Sequence, residues 1–206
     1  KRQVYGHTYK YNSSIGKNES TGGVYGVSNI TSSELIPIGY GGVCARLYTS
    51  TGALSRSGSW HYNGYEVNGM GSGALDAPSS GTYYSKGQVR FYNGDGYTTY
   101  STKASPNMTQ YNSISTSASH LQTNQTGLTY GSALFSETEP DLILAEGISG
   151  NIGYVKSSDL NGPMPVSAYA AIQMQTSQSR VIPVYESDGI TVIDTFVIDA
   201  TTPIYS

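Results

Sequence analysis

Nucleophilic catalysis needs a thiol or hydroxyl beside a histidine and an orienting carboxylate. The single thiol is Cys44, and the nearest histidine along the chain is His61. Cys44 sits in the run Val43-Cys44-Ala45-Arg46-Leu47-Tyr48, on the face opposite Val43 and Ala45. That pattern predicts a half-buried structural thiol, approached by His61 only if a neighbouring strand brings it there. No Gly-x-Ser-x-Gly elbow occurs. Glycoside hydrolysis needs two carboxyl groups on one site, and the acids of the aromatic-rich region, Glu66, Asp76 and Asp95, show no spacing that pairs them. Metal binding is poorly served by the scattered His7, His61 and His120. Asn93-Gly94-Asp95-Gly96 has the look of a calcium loop, but it lacks the further acids such a loop uses, and a hairpin turn accounts for all four residues. The expectation is a protein without catalysis and without a cofactor or metal.

The stronger candidates are aromatic. Trp60, Tyr62 and Tyr65 alternate around Asn63-Gly64, and Tyr92 and Tyr97 flank Asn93-Gly94-Asp95-Gly96. Aromatic ladders on a sheet suit stacking on sugar rings or packing on a protein partner. The competing reading is that these rings are simply the core. It weighs more for Trp60 and Tyr62 than for Tyr92 and Tyr97, because Val89 and Phe91 already supply a core face to the second hairpin.

These side chains need strands to hold them. The chain has 19 tyrosines and 25 glycines in 206 residues and only 12% charged residues, a composition of aromatic sheet faces and tight turns. Asn-Gly between alternating apolar residues predicts a type I′ hairpin over 59–67, with Tyr62 facing Tyr65, Trp60 facing Val67 and His61 facing Glu66. A second hairpin over 88–100 places Val89, Phe91 and Tyr100 on one face and the pair Tyr92/Tyr97 on the other. Further strands are expected at 3–11, 23–30, 43–48, 53–60 and 82–86, the last running into the strand of Val89. The fold class is mainly β, an antiparallel sandwich or barrel of Tyr-rich hairpins. The polar stretch 103–127 reads as a long exposed connection. Beyond it lie short strands at 141–145 and 152–155, a single helix at about 168–177 capped by Ser167, and a final hairpin over 180–198. Pro183 predicts that the first strand of that hairpin is an edge. Two regions are therefore expected, 1–125 and 126–206.

Charge follows the same division. Residues 1–60 hold six Lys/Arg against two Asp/Glu, and residues 104–206 hold two against nine. The net charge of −3 argues against a nucleic-acid partner. One cysteine rules out an internal disulfide, and no apolar run is long enough to span a membrane. A start at Lys1-Arg2 is what removal of a leader or anchor would leave.

The tail carries a resemblance. Glu139-Pro140-Asp141-Leu142-Ile143, Gly147, Gly150, Gly153-Tyr154-Val155 and Ser158-Asp159-Leu160 are followed by Pro165 and the helix. Ile182-Pro183-Val184-Tyr185, Ser187-Asp188-Gly189 and Thr191-Val192-Ile193 close the series. Residues 139–198 in this order resemble a module of secreted and membrane-attached proteins of Gram-positive bacteria, including the extracytoplasmic tails of sensor-type membrane metallopeptidases. The helix here has fewer acidic residues near its start than that module. No histidine is followed by glutamate, so the peptidase's zinc-binding helix does not come with it. The stretch Gly81–Gly87 with the Tyr-rich hairpins is similar in texture to β-sandwich bacteriocins of the lactococcin 972 type. The resemblance implies an extracellular or cell-surface location. The expected function is binding of an envelope glycan or a protein partner through an aromatic sheet face. The alternative is a secreted effector or an extracytoplasmic sensor module whose C-terminal region docks on the N-terminal sheet.

Overall fold

The computed structural model describes residues 1–110, 121–176 and 178–206. The chain opens with β1 (Arg2–Val4), β2 (His7–Lys17) and β3 (Val24–Ile36). Next come β4 (Gly41–Cys44), β5 (Arg46–Thr49), β6 (Leu54–Gly58), β7 (His61–Tyr62), β8 (Val67–Gly71) and β9 (Leu75–Asp76). The middle holds β10 (Gly81–Ser85), β11 (Gln88–Tyr92), β12 (Tyr97–Ser101), β13 (Met108–Gln110), β14 (Gln122–Thr123) and β15 (Thr129–Gly131). The last third holds β16 (Leu142–Glu146), β17 (Ile152–Lys156), α1 (Ser157–Asn161), α2 (Ala168–Gln173), β18 (Arg180–Tyr185), β19 (Val192–Asp199) and β20 (Ile204–Tyr205). The protein is mainly β, as its composition predicts.

Among the described residues these strands form three sheets. The first has the order β1-β2-β3-β8-β20, with β9 beside β3, and the second the order β12-β11-β4-β7. The third runs β13-β10-β5-β6-β19-β18-β17-β16-β15-β14, and β16 also pairs with β6. That extra pairing closes β6, β19, β18, β17 and β16 into a five-stranded barrel. Pairing is antiparallel except where β6 meets β16 and β19 and where β15 meets β16. Leu54, Ile143, Ala145, Val155, Ile182, Val184, Phe196 and Ile198 pack together as its core. β6 comes from the first third of the chain, so this core spans the division expected near residue 125.

The hairpin over 88–100 has the predicted register, with Val89 opposite Tyr100 and Tyr92 opposite Tyr97. Gly94 and Gly96 both take positive φ in its turn, a conformation that only glycine adopts without strain. The run 43–48 is not one alternating strand. The chain leaves the second sheet after β4 and enters the third at β5, so every residue from Val43 to Tyr48 is buried. For the same reason β10 does not continue into β11; the two belong to different sheets. Within 103–127, β13 pairs with β10 and β14 with β15 as short strands at opposite margins of the third sheet, and 111–120 lie outside the described residues.

The largest correction is at 59–67. β7 pairs with β4 in the second sheet and β8 with β3 in the first, so no ladder joins the two halves of the expected hairpin. Asn63 is fully buried instead of being exposed in a turn. Its Nδ2 donates to the carbonyls of Ile36, Pro37 and Tyr65. Its Oδ1 accepts from the Gly41 N–H. A side chain that satisfies four backbone groups where two sheets part company replaces the type I′ turn.

The C-terminal helix begins where predicted. Ser167 Oγ accepts from the Ala170 N–H at 3.1 Å, and the helix ends at Gln173; Ser177, within the expected span, lies outside the described residues. The short α1 was not expected. Pro183 is not on an edge strand, since β18 lies between β19 and β17. β17 meets β18 only at the pair Tyr154–Tyr185, so the ladder on that side stops before it reaches the proline. Among the described residues no helix is long and apolar enough to cross a membrane.

Candidate functional site

The second sheet carries the aromatic residues singled out above. Tyr92 and Tyr97 project from the face of the 88–100 hairpin opposite Val89 and Phe91, and Tyr62 on β7 joins them. The ring centroids run Trp60–Tyr62 at 6.3 Å, Tyr62–Tyr97 at 5.3 Å and Tyr97–Tyr92 at 5.7 Å. Helix α2 closes over the middle of this row through the buried Ala171, with Ile172 packed alongside. Tyr62 and Tyr97 are therefore core, while Trp60 and Tyr92 at the two ends stay half-buried. Tyr97 donates its hydroxyl to the Gly39 carbonyl, and Tyr92 to that of Gly94. Burial raises the Tyr97 hydroxyl above the ordinary tyrosine value, and the neighbouring Tyr62 and Tyr92 add to the shift. Tyr65 stands apart from the row, exposed and packed on Tyr205 at 4.6 Å.

Trp60 is the end that opens onto space. Trp60 and Tyr62 line a cavity of about 320 Å³ together with Leu160, Pro163, Met174 and Arg180. Arg90, from β11, stacks its guanidinium 3.9 Å from the Trp60 ring centroid and donates from Nη1 to the Tyr62 hydroxyl at 3.0 Å. Burial raises the Tyr62 hydroxyl's pKa, with Arg90 opposing. Trp60 Nε1 and Arg90 Nε are buried with no hydrogen-bond partner among the described residues. Buried donors of this kind each cost on the order of 1–3 kcal/mol while unmet.

A second and larger cleft, about 1000 Å³, adjoins this cavity, and Arg90, Asn161 and Gly162 line both. Its other lining cations are Lys1, Arg2, Lys86 and Lys103, facing the acids Glu137 and Glu139. Lys86 is held in place, donating to the carbonyls of Ala133, Leu134 and Ser136. Glu139 is already committed. Its Oε2 accepts from Arg46 at 2.5 Å and from Gln88, and its Oε1 accepts from Ser157 and Asn161. Burial alone would raise this carboxyl; the Arg46 charge and the hydrogen bonds from Ser157, Arg46 and Asn161 outweigh it and hold it below the ordinary carboxylate range. The cleft is thus electropositive in a protein of net negative charge.

The candidate chemistry of Cys44 finds no support in the geometry. Its Sγ donates to the Gly58 carbonyl at 3.2 Å, and burial raises the thiol's pKa despite Arg46 nearby. His61 Nε2 pairs with the Thr201 hydroxyl at 2.7 Å, and burial lowers its pKa. Glu66, Asp76 and Asp95 are all exposed. His7 lies 3.9 Å from Glu34, and His120 is outside the described residues.

Reasoning from the sequence missed Arg90, Arg46 and Glu139. A signal was present for the two arginines. Each interrupts an apolar run at mid-strand, Ala45-Arg46-Leu47 and Val89-Arg90-Phe91. When both sheet faces are covered, a cation there must find a buried partner.

Fold and site together describe a mainly β protein with a small mixed barrel, whose aromatic row ends in a cation-lined cavity. No family model, no curated protein and no solved structure matches the chain.

Proposed function

We propose that this protein acts by binding, without catalysis, at a Gram-positive cell surface, and that its ligand is a saccharide chain. The observation that carries this reading is Trp60. A half-buried indole at the mouth of a cavity, backed by a stacked arginine and facing an amide and a second arginine, combines an apolar platform with oriented polar groups. Sugar rings offer the matching surfaces, apolar C–H faces and hydroxyl edges. The surface location rests on the resemblance of residues 139–198 to extracytoplasmic modules.

Trp60 is the only tryptophan, so its fluorescence reports on this cavity alone. Titration with soluble cell-wall polysaccharide fragments should shift its emission saturably. Trp60→Ala should weaken binding in calorimetry by about 2 kcal/mol, roughly thirtyfold, as loss of a buried aromatic anchor does. If no wall polysaccharide perturbs Trp60, or Trp60→Ala binds like wild type, the reading is wrong.

A further inference from the structure

The floor of the larger cleft is the free edge of a sheet. β12 is the terminal strand of the second sheet, with no strand beyond it among the described residues. Six consecutive residues, from Thr99 to Ala104, line the cleft. In an antiparallel ladder alternate residues turn both backbone groups toward the neighbour, and the others turn theirs away. Two hydrogen bonds set the phase here. The Thr102 N–H donates to the Gly87 carbonyl at 3.0 Å, and the Asn93 N–H to the Gly96 carbonyl at 3.1 Å. With Val89 opposite Tyr100, the residues that bond β11 are Thr98, Tyr100 and Thr102. Thr99 and Ser101 therefore turn their N–H and C=O groups to the cleft.

Such an edge is a template for another strand. Thr99–Ser101 lie in β12 and Thr102 extends its ladder by one bond to Gly87, so the paired edge within the cleft runs about 10 Å at roughly 3.4 Å per residue, enough for a short peptide strand. Charge narrows the occupant. Lys1, Arg2 and Lys103 line the cleft without an ion pair among the described residues, and Glu139 is neutralised by Arg46. Glu137 is the one remaining acid of the lining.

We propose that an extended, acidic peptide segment of a partner protein binds this cleft by adding a strand to the free edge of β12. The backbone of Thr99 and Ser101 supplies the ladder, and the surrounding cations select carboxylate side chains. This site adjoins the saccharide contact at Trp60 but rests on the edge of β12 and on cations other than Arg90, so neither reading depends on the other.

The test uses the full chain and a fluorescein-labelled octapeptide of alternating valine and glutamate, read by fluorescence polarisation. Binding should saturate and weaken with salt, since exposed charges contribute. The same peptide with alternate backbone amides N-methylated should bind at least tenfold more weakly in the one phase whose amides face β12 and like the parent peptide in the other, and a valine–lysine peptide should not bind. Ser101→Pro removes one cleft-facing N–H without touching a bond to β11, a position where edge strands tolerate proline. It should weaken the peptide at least tenfold and leave the saccharide titration of Trp60 unchanged, whereas Trp60→Ala should leave peptide binding unchanged. The proposal is overturned if the valine–glutamate peptide fails to bind. It is equally overturned if N-methylation has no effect, or if folded Ser101→Pro binds like wild type, since the contact is then plain charge attraction. Should Ser101→Pro fail to fold, the N-methylated peptides on the wild-type protein decide the matter.

Discussion

Replacing Arg46 with methionine would keep most of the side chain's volume and remove its charge from a site that is 1% exposed. Three bonds go with it, to Glu139 at 2.5 Å, Asn161 at 2.8 Å and Gln88 at 3.2 Å. What remains is the Glu139 carboxylate, 14% exposed, with its neutral donors but no counter-charge. Removing one partner of a buried ion pair costs about 3–5 kcal/mol. Partial exposure of Glu139 puts the expected loss near the lower figure, about 3 kcal/mol. For a chain of this length that is a fall in melting temperature of roughly 6–12 °C. In urea, with a slope of about 2 kcal/mol per molar, the midpoint should fall by about 1.5 M. The double variant Arg46→Met/Glu139→Leu should be more stable than Arg46→Met by at least about 1 kcal/mol, because the stranded charge is gone. An Arg46→Met cost below about 1 kcal/mol would place the pair with exposed salt bridges and refute the argument. A double variant no more stable than Arg46→Met would do the same.

The same network has a pH signature. The Glu139 carboxyl is held below its ordinary value in the folded protein. Its contribution is therefore fully present above the unfolded glutamate value, about 4.3, and is lost as pH falls through the lower folded value. The stability gap between wild type and Glu139→Gln should be constant near neutrality and shrink on acidification below roughly pH 4.3.

Two further outcomes follow from buried groups. Asn63→Ala strands the Gly41 N–H and takes the Asn63 donor from the Ile36 and Tyr65 carbonyls, while the Pro37 carbonyl keeps the Tyr40 N–H; at about 1–3 kcal/mol for a buried group left unmet, urea unfolding should show a loss of about 2 kcal/mol or more; a loss under 1 kcal/mol would restore the simple turn. Cys44 is 2% exposed with a raised thiol pKa, so a thiol reagent such as DTNB at pH 8 should label it only after denaturant is added. Rapid labelling of the native protein would contradict its placement.

What the sequence made legible was local. The register of β11 with β12 follows from glycines that must take positive φ and from alternation on either side of them. The cap at Ser167 and the final hairpin are local in the same sense. The misreadings at Val43–Tyr48, at 59–67 and between β10 and β11 are of one kind, a strand that changes sheet, while that at Pro183 comes from a ladder too short to reach the proline. Nothing in Val43–Tyr48 or in Trp60–Val67 announces that consecutive strands will take different partners, because that choice is made by long-range contacts. Asn63 shows the limit well. Asn-Gly carries the same hairpin propensity whether it is exposed in a turn or folded inward to satisfy four backbone groups.

That same departure places the candidate site. Had 59–67 formed a closed hairpin, Tyr65 would stand opposite Tyr62 and the three rings would make one ladder on a single face. Because β7 and β8 diverge, Tyr65 goes to Tyr205 and Tyr62 is driven under α2. Trp60, one residue before β7, is left at the margin where the second sheet meets the barrel. Arg90 reaches that margin from β11 because its strand neighbours, Val89 and Phe91, face the opposite side, toward the first sheet. A change of sheet that sequence patterning does not encode thus turns a uniform aromatic face into a buried row with one indole at a cavity. A variant that restored the closed hairpin would be expected to lose the Trp60 cavity while keeping every aromatic residue.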